Sequence, residues 1–190
     1  MTASTEAVIT TYGANESEQA FDVVRAIYSE VYAEPPYLEG PADFDDFGQS
    51  LPRRAAAPGF RLVVARVGTE AVGFALGHEL GARTRWWDGA LARLPEDVTS
   101  EWPGRTFAVI ELAVRKPWRR RGYATQLHAH LVAGLGVVRL TLLVRPDAEP
   151  AHRAYEAWGY ERVGQVQPFD DGPIYDAMLR PLVPRRSGVP

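Results

Sequence analysis

The sequence of 190 residues contains no cysteine. This absence excludes disulfides, a thiolate nucleophile and a zinc site built from cysteine ligands. No apolar run approaches the roughly 20 residues that a membrane-spanning helix needs, and the N-terminal residues lack the basic and apolar regions of a signal peptide. We therefore expect a cytoplasmic protein with no membrane partner.

The sequence also lacks the glycine patterns GxxxxGK and GxGxxG, so a nucleotide hydrolase or a dinucleotide-binding protein is not supported. The net charge of −3 does not suggest a polyanionic partner. Two histidines, His128 and His130, lie two apart on a predicted helix and face different ways, so we predict no metal site. The length suits one domain, which we place over residues 1–180, with a flexible tail over 181–190.

Hydrophobic periodicity divides the chain into strands and helices. Strands are predicted at 8–12, 60–67, 71–80, 107–114, 139–144, 161–167 and 174–179. Helices are predicted from an N-cap at Asn15 to about Ala33, over 44–51, from Tyr123 to the terminating Gly134 and Gly136, and from Pro150 to Trp158. The order is therefore β-α-α-β-β-β-α-β-α-β-β. The buried side of the first helix is predicted to hold Phe21, Val24, Ile27, Tyr28, Val31 and Tyr32.

The most informative stretch covers residues 107–135. Its first part, Phe107–Val114, is an apolar run that predicts a buried strand. Its last part predicts a helix with one apolar stripe, formed by Tyr123, Leu127, Leu131 and Leu135. A basic loop ending in Gly122 joins the two. A strand, a tight basic turn and a helix N-terminus form a binding site for an anion, because the first amides of a helix have no internal partners.

Two segments in this order resemble the GCN5-related N-acetyltransferases, the GNAT superfamily. Arg119–Ala124 reads RRRGYA and fits the superfamily's acyl-coenzyme A loop pattern, Gln/Arg-x-x-Gly-x-Gly/Ala. Residues 151–160 read AHRAYEAWGY and fit its later A-x-x-x-Y-E-x-x-G-F/Y signature. The resemblance implies an α/β fold with a mixed sheet, whose two central strands, 107–114 and 139–144, separate around the pantetheine of the acyl carrier. Homodimers are common in the superfamily, so a homodimer is possible here.

The resemblance also implies which residues bind acetyl-CoA. Glycine at position 122 lets a phosphate approach the backbone, and arginines add charge-assisted contacts. The residues assigned to the carrier are Leu112, Ala113, Val114, Arg119, Arg120, Arg121, Gly122, Tyr123, Ala124 and Thr125. The sequence departs from the superfamily at Ala148, where an asparagine commonly contacts the carrier.

Glu111 stands inside the apolar strand, where a carboxylate is costly to bury. An alkylamine with a pKa of about 10.4 is almost entirely protonated at pH 7, so acyl transfer to it needs a base. Superfamily members often use a glutamate on this strand, and we therefore interpret Glu111 as a base or proton relay. The alternatives are a glutamate paired with a nearby arginine, or one in the fraying end of the strand.

Tyr155 is the predicted general acid. The resemblance places it near the thioester sulfur, where a phenol can protonate a leaving thiolate. The alternative is a core aromatic of an amphipathic helix, three residues from Trp158. One helical turn earlier, His152 is either an assisting group or a structural histidine.

Two further features bear on the acceptor. Residues 81–105 form a long connection containing Trp86, Trp87 and Trp102, which we interpret as a functional lid. The stretch between Ala26 and Pro52 has no basic residue but six acids: Glu30, Glu34, Glu39, Asp43, Asp45 and Asp46. Clustered carboxylates attract cations, so we expect a small cationic amine; the alternative is a solvated acidic surface.

Three functions follow from these observations. The first is an N-acetyltransferase that uses acetyl-CoA and a small-molecule amine acceptor, by direct attack in a ternary complex and without a metal. The second is a non-catalytic acyl-CoA-binding sensor or scaffold. The third, nucleic-acid binding through the arginines, has little support, because no aromatic and basic platform extends over a wide face.

Overall fold

Seven strands and five α-helices are found in residues 7–182, the part of the chain that this computed structural model describes. The strands are β1 (Val8–Tyr12), β2 (Arg61–Val67), β3 (Glu70–Glu79), β4 (Thr106–Val114), β5 (Arg139–Val144), β6 (Glu161–Val166) and β7 (Tyr175–Pro181). The helices are α1 (Phe21–Tyr32), α2 (Pro41–Ala55), α3 (Glu96–Thr99), α4 (Tyr123–Val132) and α5 (Glu149–Ala157). Short 3₁₀ turns form at Ser17–Ala20 and Lys116–Trp118.

The strands form a mixed sheet in the order β1-β2-β3-β4-β5-β7-β6, which confirms the predicted fold class. The described residues divide into two compact units. Unit 1 comprises the residues up to His78 together with Val109–Leu135, and unit 2 comprises Glu79–Ala108 together with the residues from Gly136 onward. Strand β4 contributes to both units. The single domain over 1–180 stays a prediction, and most of the predicted tail, residues 183–190, lies outside the described residues.

In unit 1, antiparallel strands β1, β2 and β3 form the sheet on which α1 and α2 pack. Strand β2 is buried continuously from Leu62 to Ala65, as its apolar run predicts. Helix α1 turns Val24, Ile27 and Tyr28 into the same core, which confirms the predicted apolar face of that helix.

Helix α4 also belongs to unit 1. Three members of its predicted stripe, Tyr123, Leu127 and Leu131, are buried, but the helix is shorter than predicted. It ends at Val132, and Ala133 already has an extended backbone. The guanidinium of Arg61 donates to the carbonyls of Leu131 and Ala133, at 2.9 and 2.6 Å, so it satisfies acceptors at the end of the helix.

The predicted boundaries of α1 and α2 are also wrong. Helix α1 begins at Phe21 after a 3₁₀ turn, and the residue at its N-cap position is Ala20 rather than the predicted Asn15. The carboxylate of Glu16, just before the turn, accepts from the amide of Gly13 at 3.1 Å. Helix α2 is longer than predicted at both ends. It begins at Pro41, where a missing amide costs nothing, and it continues to Ala55 rather than ending at Leu51.

In unit 2, β7 pairs antiparallel with both β5 and β6. The connection over 81–105 holds the short helix α3, and Ala90 forms a β-bridge with Val166 of β6. A Cβ atom at Gly89 would collide with the carbonyl oxygen of Gln167, so this close approach requires glycine. Within residues 7–182, no helix is long and apolar enough to cross a membrane.

Candidate active site

Glu111 lies in β4 within unit 1, partly buried, and its contacts come from helix α1. The hydroxyl of Tyr32, the last residue of α1, donates to Oε2 of Glu111 at 2.7 Å. Burial raises the pKa of Glu111 to about 7, while the charge of Arg54 and the hydrogen bond from Tyr32 act in the opposite direction. Because a base is most effective when its pKa is near the working pH, this carboxyl suits proton transfer at neutral pH.

The structure supports neither structural alternative for Glu111, and its role as a base stays a prediction. In the part of the chain that the structure describes, Glu111 forms no ion pair with an arginine; its hydrogen-bond partner is a neutral phenol. The residue is also three positions before the end of β4, within the strand. A strongly perturbed carboxyl without a paired cation is typical of a functional group rather than a structural ion pair.

Tyr32, the hydrogen-bond partner of Glu111, belongs to a cluster of aromatic side chains from α1, α2 and the segment between them. The ring of Tyr28 stacks on Tyr32 on one side and on Phe47 on the other, with centroids 4.3 and 3.7 Å apart. The ring of Tyr37 lies 4.7 Å from that of Tyr32. Burial, followed by the charge of Glu111, raises the pKa of both Tyr28 and Tyr32. Both hydroxyls therefore stay protonated and act as hydrogen-bond donors.

Sequence reasoning missed the role of these tyrosines and placed Tyr28 and Tyr32 only on the buried side of a helix. The available signal was two phenols one helical turn apart on an apolar face, since a buried hydroxyl requires a partner. Tyr28 finds its partner in Glu39, which its hydroxyl contacts by a side-chain hydrogen bond.

The loop between β4 and α4 has the backbone that the anion-site prediction requires. Gly122 is the N-cap of α4, in the left-handed region with φ 83°, and it offers no side chain to the first amides of the helix. The nearest atom to a Cβ built there would be Nε2 of Gln126, 3.9 Å away, so the space beside the backbone is open. The amides of Tyr123, Ala124 and Thr125 are consequently available to an anion.

Most cations around this loop are already neutralised. Arg115 pairs with Glu30 at 3.3 Å, and Arg119 pairs with Glu34 at 2.7 Å. Lys116 lies 3.9 Å from the same Glu34. The sequence suggests a strongly positive loop, but in the folded protein these acidic partners compensate much of that charge.

Arg120 and Arg121 are exposed and, unlike the other cations of the loop, have no acidic partner among the described residues. Neither forms an ion pair within residues 7–182, and the guanidinium of Arg121 lies over the ring of Trp118, 5.1 Å from its centroid. Trp118 is held in turn by a hydrogen bond from Nε1 to Glu70, at 3.0 Å. Two uncompensated guanidiniums beside uncapped helix amides fit a ligand that carries a diphosphate.

In unit 2, the predicted general acid Tyr155 lies in α5 and is partly buried. Its ring meets Trp158 and Tyr160 edge-on, with centroids 5.6 and 5.8 Å apart. Before the helix, Ala148 is buried and its amide donates to the carbonyl of Arg145. The structure thus places Tyr155 in an aromatic cluster, and its role in proton transfer stays a prediction.

His152 has a structural position. Its Nε2 lies 3.0 Å from Asp176 and its Nδ1 lies 3.3 Å from Glu156. Asp176 is buried and also accepts hydrogen bonds from Gln165 and pairs with Arg162, each at 3.0 Å. Nε2 of His152 therefore connects α5 to Asp176 of β7, and Nδ1 contacts Glu156 one turn later in the same helix, which favours the structural interpretation.

The connection over 81–105 is held within unit 2 around Trp87, and its role as a lid stays a prediction. Trp87 is buried against Val166 and Ala177, and its Nε1 donates to Glu101 at 3.1 Å. Arg139, also buried, pairs with the same Glu101 at 2.7 Å and donates to the carbonyl of Val98. Because a buried ion pair is costly to break, this connection is fastened within unit 2. Trp86 and Trp87 pack there, whereas Trp102 is half exposed and lies beneath the guanidinium of Arg105.

The acidic stretch of unit 1 is also divided among several structural roles. Besides Glu30 and Glu34, which pair with basic residues, Asp43 accepts from the amide of Gly40 at 2.8 Å and caps α2. Asp45 and Asp46 remain exposed on α2. Within residues 7–182, no group of three or more histidine, aspartate and glutamate side chains could hold a metal ion.

The acetyltransferase (GNAT) family model matches residues 21–160. Three solved structures illustrate the likeness in fold. Aminoglycoside 6'-acetyltransferase type Ii is 18% identical, with a TM-score of 0.64 over 94% of this chain and 99% of that chain. The ribosomal-protein-S18-alanine N-acetyltransferase from Escherichia coli is 16% identical, with a TM-score of 0.63 over 97% and 99%. The PaiA N-acetyltransferase from Thermoplasma acidophilum, in complex with coenzyme A, is 10% identical, with a TM-score of 0.60 over 93% and 99%. No curated protein matches the sequence.

Proposed function

The chain belongs to the acetyltransferase (GNAT) family, and we propose that it moves the acetyl group of acetyl-CoA onto a primary amine. The observation that carries this proposal is Glu111, whose pKa is raised to about 7 by burial. It lies on the strand that runs directly into the loop of Arg119–Gly122. A titratable base and an anion-binding loop on one continuous segment suit acyl transfer from a phosphate-bearing carrier.

The residues of unit 1 fit the carrier. The amides of Tyr123, Ala124 and Thr125, with the side chains of Arg120 and Arg121, would bind its phosphates, and Leu112, Ala113 and Val114 provide the adjoining strand end. Gly122 leaves open space beside the backbone. When bound, acetyl-CoA supplies the acetyl group as an activated thioester.

Proton transfer is the chemistry left to the protein. The absence of cysteine rules out an acyl-cysteine intermediate, so the amine attacks the thioester carbonyl directly. A C–N bond forms, the C–S bond breaks, and the amine's proton passes to Glu111, directly or through water. The sequence resemblance assigns Tyr155 to donate its hydroxyl proton to the leaving sulfur.

The acceptor is proposed to be a small cationic amine. Glu39 and Glu111 are the two carboxylates whose charges raise the pKa of Tyr28. The exposed Asp45 and Asp46 lie on the neighbouring helix α2. Arg54 opposes them, since its charge lowers the pKa of Glu111. The carboxylates outnumber this one guanidinium, which favours a positively charged acceptor.

The test is release of free thiol from acetyl-CoA across aminoglycosides, polyamines, amino acids and peptide N-termini. We expect turnover with at least one basic amine, and we expect Glu111→Gln to lose activity at pH 7 but to regain part of it at pH 9, where more amine is neutral. Tight binding of acetyl-CoA without thiol release from any amine would instead identify a sensor or scaffold domain. Full activity of Glu111→Gln at pH 7 would remove Glu111 from the mechanism.

A further inference from the structure

Glu34 lies just beyond the end of α1 and engages the loop that precedes α4. Its Oε2 accepts a hydrogen bond from Nη1 of Arg119 at 2.7 Å, and its Oε1 lies 3.9 Å from the ammonium of Lys116. The side chain is only 27% exposed. A short, charge-assisted contact with a mostly buried carboxylate holds its partner more firmly than an ordinary surface pair.

The other side of the same guanidinium contacts the backbone. Nε of Arg119 donates to the carbonyl of Val114, the last residue of β4, at 2.9 Å. Arg119 therefore links the strand end, the loop and the residue that follows α1. The next residue, Arg120, has a φ of 61°, a conformation that a side chain of this size adopts only when its surroundings enforce it.

We propose that Glu34 is a positioning residue for the phosphate-binding loop, acting through Arg119. This inference rests on the proposed function, because it takes acetyl-CoA as the ligand of that loop. Glu34 holds the guanidinium of Arg119, which in turn fixes the position of the loop where it follows β4. The Arg120–Gly122 backbone and the first amides of α4 are thereby oriented toward the phosphates. A carboxylate thus strengthens the binding of an anion.

The sign of this effect separates positioning from simple electrostatics. Glu34 is negative, so its removal would strengthen phosphate binding if charge alone mattered. That electrostatic gain is small, because partly exposed charges are screened over roughly 8 Å at physiological salt. Loss of the ion pair between Glu34 and Arg119 disorders the loop and weakens binding. Contacts within one network of side chains typically alter a binding equilibrium by several-fold to a hundredfold.

Glu30 provides a matched control. It has the same charge, lies one turn earlier on α1 and pairs with Arg115 at 3.3 Å. Arg115 already has a backbone anchor, because its amide donates to the carbonyl of Val72 at 2.9 Å. Removing Glu30 therefore changes the charge of α1 without releasing the loop.

The experiment is calorimetric titration of the whole protein with acetyl-CoA. We expect Glu34→Ala to raise the Kd roughly 5- to 30-fold and Glu30→Ala to change it less than about twofold. Arg119→Gln should match Glu34→Ala, and the double variant should be no worse than either single one. At saturating acetyl-CoA, kcat of Glu34→Ala should stay within about twofold of wild type, because the contact between Tyr32 and Glu111 is untouched.

The outcomes distinguish the two proposals. Wild-type protein that does not bind acetyl-CoA would overturn the proposed function and this inference together. Wild-type binding with an unchanged or lower Kd for Glu34→Ala would overturn the inference alone. Thermal unfolding curves of the variants show whether a substitution destabilises the whole protein. If Glu34→Ala and Glu30→Ala lose equal stability but differ in Kd, the effect of Glu34 is on the loop. If the Kd of each variant changes in proportion to its loss of stability, the positioning role is wrong.

Discussion

The hydroxyl of Tyr32 donates a hydrogen bond to Glu111 across 79 residues of sequence, at 2.7 Å. This contact joins the end of α1 to the middle of β4. It lowers the pKa of a carboxyl that burial raises, so Tyr32 keeps Glu111 in the range where it changes charge near neutral pH. Helix α1 therefore influences the pKa of the predicted base through Tyr32. Glu34, just beyond the end of α1, contacts the loop that precedes α4.

Tyr32→Phe should shift the pH dependence of activity upward. In the wild type, kcat/KM should rise as the pH passes about 7, because Glu111 must lose its proton before it can act as a base. Without the phenol, the carboxylate loses a stabilising donor, and its pKa should increase by about one unit, which corresponds to a hydrogen bond of about 1.4 kcal/mol. The measurement is kcat/KM against pH from 5.5 to 9.5. A midpoint that stays in place or moves down would contradict the assigned contact.

Glu111 should also make the stability of the protein depend on pH. Its pKa is higher in the folded protein than the ordinary value of 4.5, so the folded state binds the proton more tightly. The stabilisation is complete below about pH 4.5 and is lost as the pH rises to about 7. Relative to the wild type, Glu111→Gln should therefore become progressively more stable across this window. Urea unfolding of both proteins at several pH values measures the difference, and a constant difference would mean that the carboxyl is not perturbed.

Much of the fold follows from local sequence patterns. Strands β1 and β5 have the predicted boundaries, and the four-residue spacing of Tyr123, Leu127 and Leu131 predicts the buried face of α4. These predictions succeed because periodicity and burial are properties of neighbouring residues. An acid in an apolar run likewise marked Glu111 as unusual without any structure.

The partners of these residues could not be predicted in the same way. Tyr32 and Glu111, or Glu34 and Arg119, are distant in sequence, and no local pattern specifies which side chains will meet. The same limit applies to the connection over 81–105. Its sequence does not show that Trp87 is buried, or that the buried pair of Arg139 and Glu101 fastens it.

Two substitutions of Gly122 should distinguish the effect of a negative charge on acetyl-CoA binding from the effect of backbone strain. Gly122 has a φ of 83°, which asparagine and aspartate tolerate better than other side chains. Gly122→Asp should abolish acetyl-CoA binding, because it places a carboxylate beside the predicted phosphate site. Gly122→Asn, with nearly the same shape and backbone preference, should weaken binding much less. Calorimetry measures the affinity of both variants for acetyl-CoA, and circular dichroism verifies that they fold. Equal affinities would refute the assignment of this loop to phosphate binding.

Tyr155→Phe should lower kcat by roughly 10- to 1000-fold, the range expected when a general acid is removed. The affinity for acetyl-CoA should change little, because only a hydroxyl is lost. Tyr160→Phe is the matched control, since its ring packs edge-on against Tyr155 at 5.8 Å. Steady-state kinetics at saturating acetyl-CoA compares the three proteins. If both substitutions reduced kcat equally, the effect would belong to the aromatic cluster rather than to proton donation.

Neutralising the exposed acids of α2 should weaken binding of a cationic acceptor. Asp43 is unsuitable for this test because it caps the helix, so the variant is Asp45→Asn with Asp46→Asn. For the best basic amine found, KM should rise by about threefold at low salt, and the rise should shrink as salt is added, because exposed charges are screened. The control removes two exposed acids elsewhere in unit 1, Glu18→Gln with Asp22→Asn, and should leave KM unchanged. An equal rise in both variants would point to net charge alone, and a best acceptor that is neutral or anionic would contradict the cationic assignment.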